Sequence, residues 1–225
     1  MSFSPSPIKP SAPFWPAATV YGTLLNFKRE FDFFSPHMTQ APYKAAPQAP
    51  VLYVKTANTF NAEGGPVPLP LRIPQVEIGA TLAMVVGAGG QVAGWVLMND
   101  FSVPHASYFR PPVKFKCLDG FLGLGANYVT WGALGDPARV QLQVHVNGLM
   151  RQNIDFSDLI RPAALLLDEV MGFMTLREGD GLMLGLDCLP DGTRPLARVG
   201  DRVEVSSPTH PALGRLTHTL TGEAT

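Results

Sequence analysis

The sequence predicts an α+β domain that is mostly β, with one main helix. Three observations predict it. Short runs rich in Val, Leu, Thr and aromatic residues recur between Gly, Pro and Asp turns, which is how strands are punctuated. Asn147-Gly148 stands between VQLQVHV and LMRQNI, and both residues tolerate the positive φ of a type I′ hairpin turn. Only one stretch carries a convincing helical stripe: Leu166, Val170, Phe173 and Met174, with Asp168 and Glu169 outside it. That helix is expected from about Arg161 to Thr175, with Pro162 near its first turn. No internal repeat is visible, so a single domain over residues 19–220 is the economical reading.

Along the chain, residues 1–18 read as a disordered arm, because MSFSPSPIKPSAPFWP is dense in Pro and Ser and has no apolar run. Strands are expected at Thr19–Leu25 and Val51–Lys55, with Pro36, Pro42, Pro47 and Pro50 between them suiting an extended strap. From Ile78 to Met98 no residue is charged, which is long enough for a membrane span. Five glycines interrupt that run, no Lys or Arg flanks it closely, and Asn99-Asp100 follows at once. Two buried strands, Glu77–Val86 and Val92–Met98, joined by the turn GAGG, account for it better. Further strands are expected at Val140–Val146, Gly181–Leu184, Arg202–Val205 and Arg215–Leu220. Glu178-Gly179-Asp180 and Val199-Gly200-Asp201 each set a tight Gly-Asp turn before a strand, and residues 221–225 read as a frayed tail.

Composition narrows the function. Lys and Arg total 17 against 18 Asp and Glu, and no block of like charges occurs, which argues against nucleic-acid or membrane-surface binding. Charged residues are only 16% of the chain, below the roughly 25% usual in soluble domains, so part of the exterior is expected to face another subunit. Cys117 and Cys188 lie far apart and form no CxxC, which fits a reducing, cytoplasmic setting and gives no thiolate metal site. The glycines of VVGAGGQVA imitate the start of a dinucleotide fingerprint, but a strand follows where a helix is needed. The histidines show no HxH or HxxxH spacing, and Gly-x-Ser-x-Gly is absent.

Six segments, in order, resemble the fumarylacetoacetate hydrolase family: KTANTFNAEGGPVPLP, ATLAMVVG, GWVLMNDFS, KCLDGFLGLG, VNGLMRQ and LREGDGLMLG. The wording of GATLAMVVG, NDFSVPHASYFRPPVKFKCLDGF and APYKAAP is most similar to the N-terminal half of the branch that isomerises and decarboxylates intermediates of 4-hydroxyphenylacetate breakdown. The resemblance implies a β-sandwich roll and a small 2-oxo-carboxylate substrate, 5-oxopent-3-ene-1,2,5-tricarboxylate. It also implies a divalent cation, Mg²⁺ or Mn²⁺, as electron sink. Lys116 matches the family's lysine that faces the developing charge and is the candidate catalytic residue. Arg110 is the candidate to hold a distal carboxylate, and Asn99 is a further substrate contact.

The departures are as informative. Metal-bearing members hold the cation with a Glu-x-Glu pair and the Asp of the Asn-Asp motif; alternation in a strand lets residues two apart face one ion. Here the two Glu positions fall on Gly79 and Thr81, leaving Asp100, with Glu77, two residues earlier on the same face of the expected strand, as a weaker metal candidate. The His-x-x-Glu element of active members reads Asn26-Phe27-Lys28-Arg29-Glu30, without its histidine. A Gly-Thr-Pro turn is replaced by Gly185-Leu186-Asp187, so an isobutyl group stands where a hydroxyl is expected. The cation is therefore expected on a homologous metal-bearing partner subunit, with a homo-oligomer as the other arrangement. A purely structural partner, and a hydrolase or decarboxylase of another 2-oxo acid or diketone, stay open. In the plainer readings Lys and Arg are solvated, and Asp100 bonds its own turn or pairs with Lys116.

Overall fold

In a computed structural model, residues 13–105 and 113–222 are described. Strands in chain order are β1 (Val20–Leu24), β2 (Val51–Lys55), β3 (Phe60–Ala62), β4 (Pro66–Leu69), β5 (Val76–Glu77), β6 (Ala80–Val86) and β7 (Val92–Asp100). They continue with β8 (Leu122–Thr130), β9 (Gln141–Val146), β10 (Leu149–Asp155), β11 (Gly181–Met183), β12 (Leu196–Ala197), β13 (Arg202–Ser206) and β14 (Arg215–Gly222). The α-helices are α1 (Lys28–Phe34), α2 (Val113–Lys116), α3 (Trp131–Leu134) and α4 (Ala163–Met171). A seven-stranded sheet runs β2-β1-β11-β6-β7-β8-β3, a five-stranded sheet runs β10-β9-β13-β14-β4, and β12 pairs with β5.

One short connection dictates the shape of the larger sheet. Strands β2 and β3 are its opposite edges, yet β2 ends at Lys55 and β3 begins at Phe60. Laid flat, seven strands would hold their edges about 29 Å apart, whereas five Cα steps reach about 18 Å at most. The sheet must therefore curl until its edges approach. Residues on its inner face form one apolar cluster, including Val20, Leu24, Ala83, Val85, Val96, Met98, Leu122 and Met183. Its outer face packs on the five-stranded sheet and α4 through Leu82, Met84, Trp95, Leu97, Val144, Val205, Leu166 and Val170.

The uncharged run forms paired strands, β6 and β7, with Ala80 opposite Asn99 and Met84 opposite Trp95, but the strand expected from Glu77 to Val86 breaks at Ile78-Gly79, so that Glu77 belongs to β5 and pairs with β12. No helix among the described residues is long and apolar enough to cross a membrane. The Asn147-Gly148 hairpin closes with φ of 52° and 79°, and Leu149 lies opposite Val146. Asp180 caps its turn as the Gly-Asp motif suggests, its carboxylate accepting from the backbone N–H groups of Thr19 and Arg177 at 2.8 and 2.6 Å.

Three other local expectations need correction. The helix near 161–175 is shorter, because Pro162 has non-helical ψ at its N-cap and Gly172 ends it, so Phe173 leaves the stripe and is 59% exposed. The segment expected as a strap opens instead with α1 and a 3₁₀ turn, Ser35–His37, which carries Pro36 in its first turn where its missing N–H does no harm. Strand β8 falls in a stretch whose glycines obscure the β pattern; they are needed because Gly125 lies against the Leu97 backbone and Gly123 against the His218 ring.

Gly22 shows how closely the inner face is fitted. It pairs with Tyr53 across β1 and β2, and a Cβ built on it would fall 2.0 Å from the Tyr53 ring. Glycine there lets the ring lie over β1 toward the sheet interior. Gly22→Ala is expected to destabilise the fold by about 1–3 kcal/mol through overpacking. A lowered urea midpoint with an unchanged m-value is the check, and an unchanged midpoint would contradict this packing.

Candidate functional site

At the C-terminal end of β7, the backbone turns each successive side chain to alternate faces. Met98 joins the inner cluster while Leu97 and Phe101 join the outer one, so Asp100 points into the curl and Asn99 points toward the other sheet. Asp100 and Lys116 are therefore brought together, and Asn99 is not brought to them. The Asn99 amide is buried without a hydrogen-bond partner among the described residues. Arg110 lies outside the described residues.

The Asp100 carboxylate is held by three side chains. Lys55 Nζ donates to Oδ1 at 2.8 Å, Lys116 Nζ to Oδ2 at 2.8 Å, and Tyr53 Oη to Oδ2 at 2.5 Å. Asp100, Lys55 and Lys116 are each 1% exposed. Lys55 also donates to the backbone carbonyls of Lys116 and Phe121, so its three N–H groups have three acceptors. Lys116 donates only to Asp100 among the described residues, with its ammonium 5.0 Å from the Tyr53 ring centre, so two of its three donors have no acceptor among those residues. Among the described residues the two lysines thus differ: Lys55 has an acceptor for each N–H and Lys116 for one.

Around this triad lies a second ionic group. Glu30, on α1, accepts from the Leu25 backbone N–H at 2.6 Å and from Arg194. Arg194 also lies 3.7 Å from Glu77, which accepts from Ser102 Oγ at 3.2 Å. Glu77 is thereby engaged by Arg194 and Ser102, not by a site shared with Asp100. His105 stacks on Phe115 with ring centres 4.8 Å apart and bonds the Val103 carbonyl, as a packed histidine does.

Burial pushes the Asp100 carboxyl up, but Lys116 and Lys55 pull it further down, from 3.8 to about 2. Burial lowers the Lys116 ammonium, with Asp100 opposing. The Tyr53 phenol is raised well above its ordinary value by burial and by the adjacent Asp100. Glu30 is raised by burial although Arg194 opposes it.

Sequence reasoning singled out Asp100 and Lys116 but passed over Lys55, Tyr53 and Arg194. A signal for Lys55 was present: in VLYVK the period-2 rule puts Val51, Tyr53 and Lys55 on one face, so a charge stands in a core-facing row. Arg194 had none, since its loop meets Glu30 only after folding across 164 residues.

The profile of the family described as "Fumarylacetoacetate (FAA) hydrolase C-terminal" matches residues 19–221. The chain belongs to the fumarylacetoacetate hydrolase family. It is 34% identical over 209 residues to the 4-hydroxyphenylacetate degradation bifunctional isomerase/decarboxylase of Escherichia coli, covering 87% of this chain and 46% of that protein. The chain thus spans about half the length of that relative. It is 28% identical over 175 residues to the 2,4-didehydro-3-deoxy-L-rhamnonate hydrolase of a Sphingomonas strain, covering 71% of this chain and 61% of that protein. Among solved structures, the 5-carboxymethyl-2-hydroxymuconate delta-isomerase of Mycobacterium smegmatis superposes with a TM-score of 0.71 at 23% identity, over 95% of this chain and 82% of that one. The maleylpyruvate hydrolase of Sphingobium sp. SYK-6, in complex with manganese(II) and pyruvate, superposes with a TM-score of 0.69 at 19% identity, over 93% of this chain and 72% of that one. These likenesses establish the fold.

The residues present here do not fit the divalent cation of fumarylacetoacetate hydrolase relatives. A Cβ on Gly79 would lie 2.6 Å from the Asp100 carbonyl oxygen and 3.1 Å from a Leu186 methyl, so that strand position has no room to aim a carboxylate. Thr81 donates its hydroxyl to the Gly185 carbonyl at 2.6 Å, and both Asp100 oxygens are already engaged by ammonium groups.

A carboxylate with a depressed pKa stabilises the fold above its ordinary pKa and loses that contribution as pH falls through its folded value. For Asp100 the window runs from 3.8 down to about 2, and the contribution is about 2 kcal/mol. The stability gap between wild type and Asp100→Asn, from urea unfolding, is expected to narrow as pH falls through this window. A gap that stays constant would contradict the pairing.

Proposed function

We propose that the chain is the metal-poor subunit of a 5-oxopent-3-ene-1,2,5-tricarboxylate decarboxylase/2-hydroxyhepta-2,4-diene-1,7-dioate isomerase of 4-hydroxyphenylacetate breakdown. Its partner is a homologous domain with the Glu-x-Glu pair intact, which carries the Mg²⁺ or Mn²⁺. The reading is supported by the 34% identical relative, of which this chain covers 46%. A protein about twice this length has room for two such domains, and this chain corresponds to one.

The observation that carries the reading is Lys116. Its buried ammonium stands beside a fixed carboxylate, with two donors that have no acceptor among the described residues. Loss of CO₂ from the substrate leaves a dienolate, whose oxyanion is the charge such donors stabilise in a water-poor site. Asp100 holds the ammonium in place and Tyr53 backs it with a ring face. No step is assigned to a cation within this chain.

A purely structural role is the second reading, and the near-complete burial of Asp100, Lys55 and Lys116 favours it. Assays of this chain alone, of the Glu-x-Glu partner alone, and of the mixture separate the two. Full activity is expected only in the mixture. There, Lys116→Met is expected to lower kcat by about 100-fold, the scale of losing one oxyanion donor. An unchanged kcat in the mixture would assign the chain a structural role, and turnover by this chain alone would overturn the division of labour.

A further inference from the structure

Lys55 donates to three oxygens that come from three separate places in the chain: Asp100 at the end of β7, the Lys116 carbonyl at the end of α2, and the Phe121 carbonyl just before β8. One carboxylate oxygen and two backbone carbonyls are hard oxygen donors, the set a small cation takes. The ammonium has three N–H groups and meets the three oxygens one to one. Its side chain is fully buried, so the attraction is poorly screened by solvent.

The neighbouring residues close the alternatives. Leu186 methyls stand 3.1 and 3.2 Å from the Cβ position of Gly79, and Thr81 is turned to the Gly185 carbonyl. Glu77, at the end of β5 just before Gly79 and Thr81, is drawn to Arg194. Among the described residues, a mobile ion would thus find one carboxylate already neutralised and no group of three His, Cys, Asp or Glu side chains placed to hold it.

We propose that Lys55 is the resident cation of this domain: its ammonium fills an oxygen-lined site and supplies, through a covalent tether, a permanent positive charge that shares with Lys116 the balancing of Asp100. The domain then keeps its curled sheet closed without any dissolved ion. An ion bound by mass action would stabilise the fold only in proportion to its concentration, whereas a tethered charge acts at all concentrations. The tether also fastens the seam, since Lys55 sits at the end of edge strand β2 and its acceptors flank β7 and β8. The inference holds whichever substrate the assembly takes, and its test uses no activity measurement.

Lys55→Ala removes the three carbons and the nitrogen of an n-propylammonium ion. For the full chain, the variant is expected to lose about 10 °C in Tm, the scale of breaking a buried ion pair in a chain of this size. Part of that loss is expected to return with n-propylammonium chloride and not with 1-propanol at the same concentration, while wild type keeps its Tm in EDTA and in Mn²⁺. Absence of rescue, equal rescue by 1-propanol, or a Mn²⁺-dependent Tm in wild type that Asp100→Asn abolishes would each overturn the proposal. If Lys55→Ala does not fold, Lys55→Met, Asp100→Asn and their combination decide it. A double variant that loses less than the two single losses together supports the pairing, and strict additivity overturns it.

Discussion

One carboxylate shared between two buried ammonium groups is the interaction on which the rest of this structure depends. Asp100 is carried by β7 near the middle of the larger sheet, Lys55 by an edge strand and Lys116 by a short helix outside the sheet. The three meet only because the sheet curls, and the sheet curls because its two edges are joined by a connection too short to cross it flat. Geometry and charge support each other. Curling brings the lysines to the carboxylate, and the charges, having left water, are stable only when so paired.

The chain has the family fold, and the charges at its site are those of its own side chains. Two strand positions that would offer carboxylates are Gly79 and Thr81, and the space beside the first is taken by Leu186. The positive charge beside Asp100 comes from Lys55 and Lys116. The second ionic group, in which Arg194 lies between Glu30 and Glu77, joins α1 to the chain after β11 and fastens the flank of the site. Removing one member of such a network leaves an uncompensated buried charge, which is costlier than replacing the whole set by apolar groups. That asymmetry explains how the arrangement can be held firmly without being the most stable one conceivable.

Much of the strand order along the chain was legible. The uncharged run from Ile78 to Met98 reads as two strands because glycines break it, and the Asn147-Gly148 hairpin reads from its turn chemistry alone. Strand β8 and helix α1 were not legible. Glycines that admit the Leu97 backbone and the His218 ring hide the first, and the second has only seven residues and no side-chain cap. At the site, motif positions led to Asp100 and Lys116, while Lys55 was visible only as a charge on the inward row of β2. Asn99 faces the other way, because alternation separates it from Asp100 although they are adjacent in sequence.

What the sequence determined by itself was the inventory: mostly strands, one principal helix, a family pattern, and a strand that carries glycine and threonine where carboxylates would be needed. Those are local facts, set by side-chain chemistry, turn residues and period. Only the tertiary structure decided what balances Asp100. Electrostatic pairing depends on distance in space, and Lys55, Lys116 and Asp100 become neighbours through a curl imposed by topology, not through any spacing along the chain.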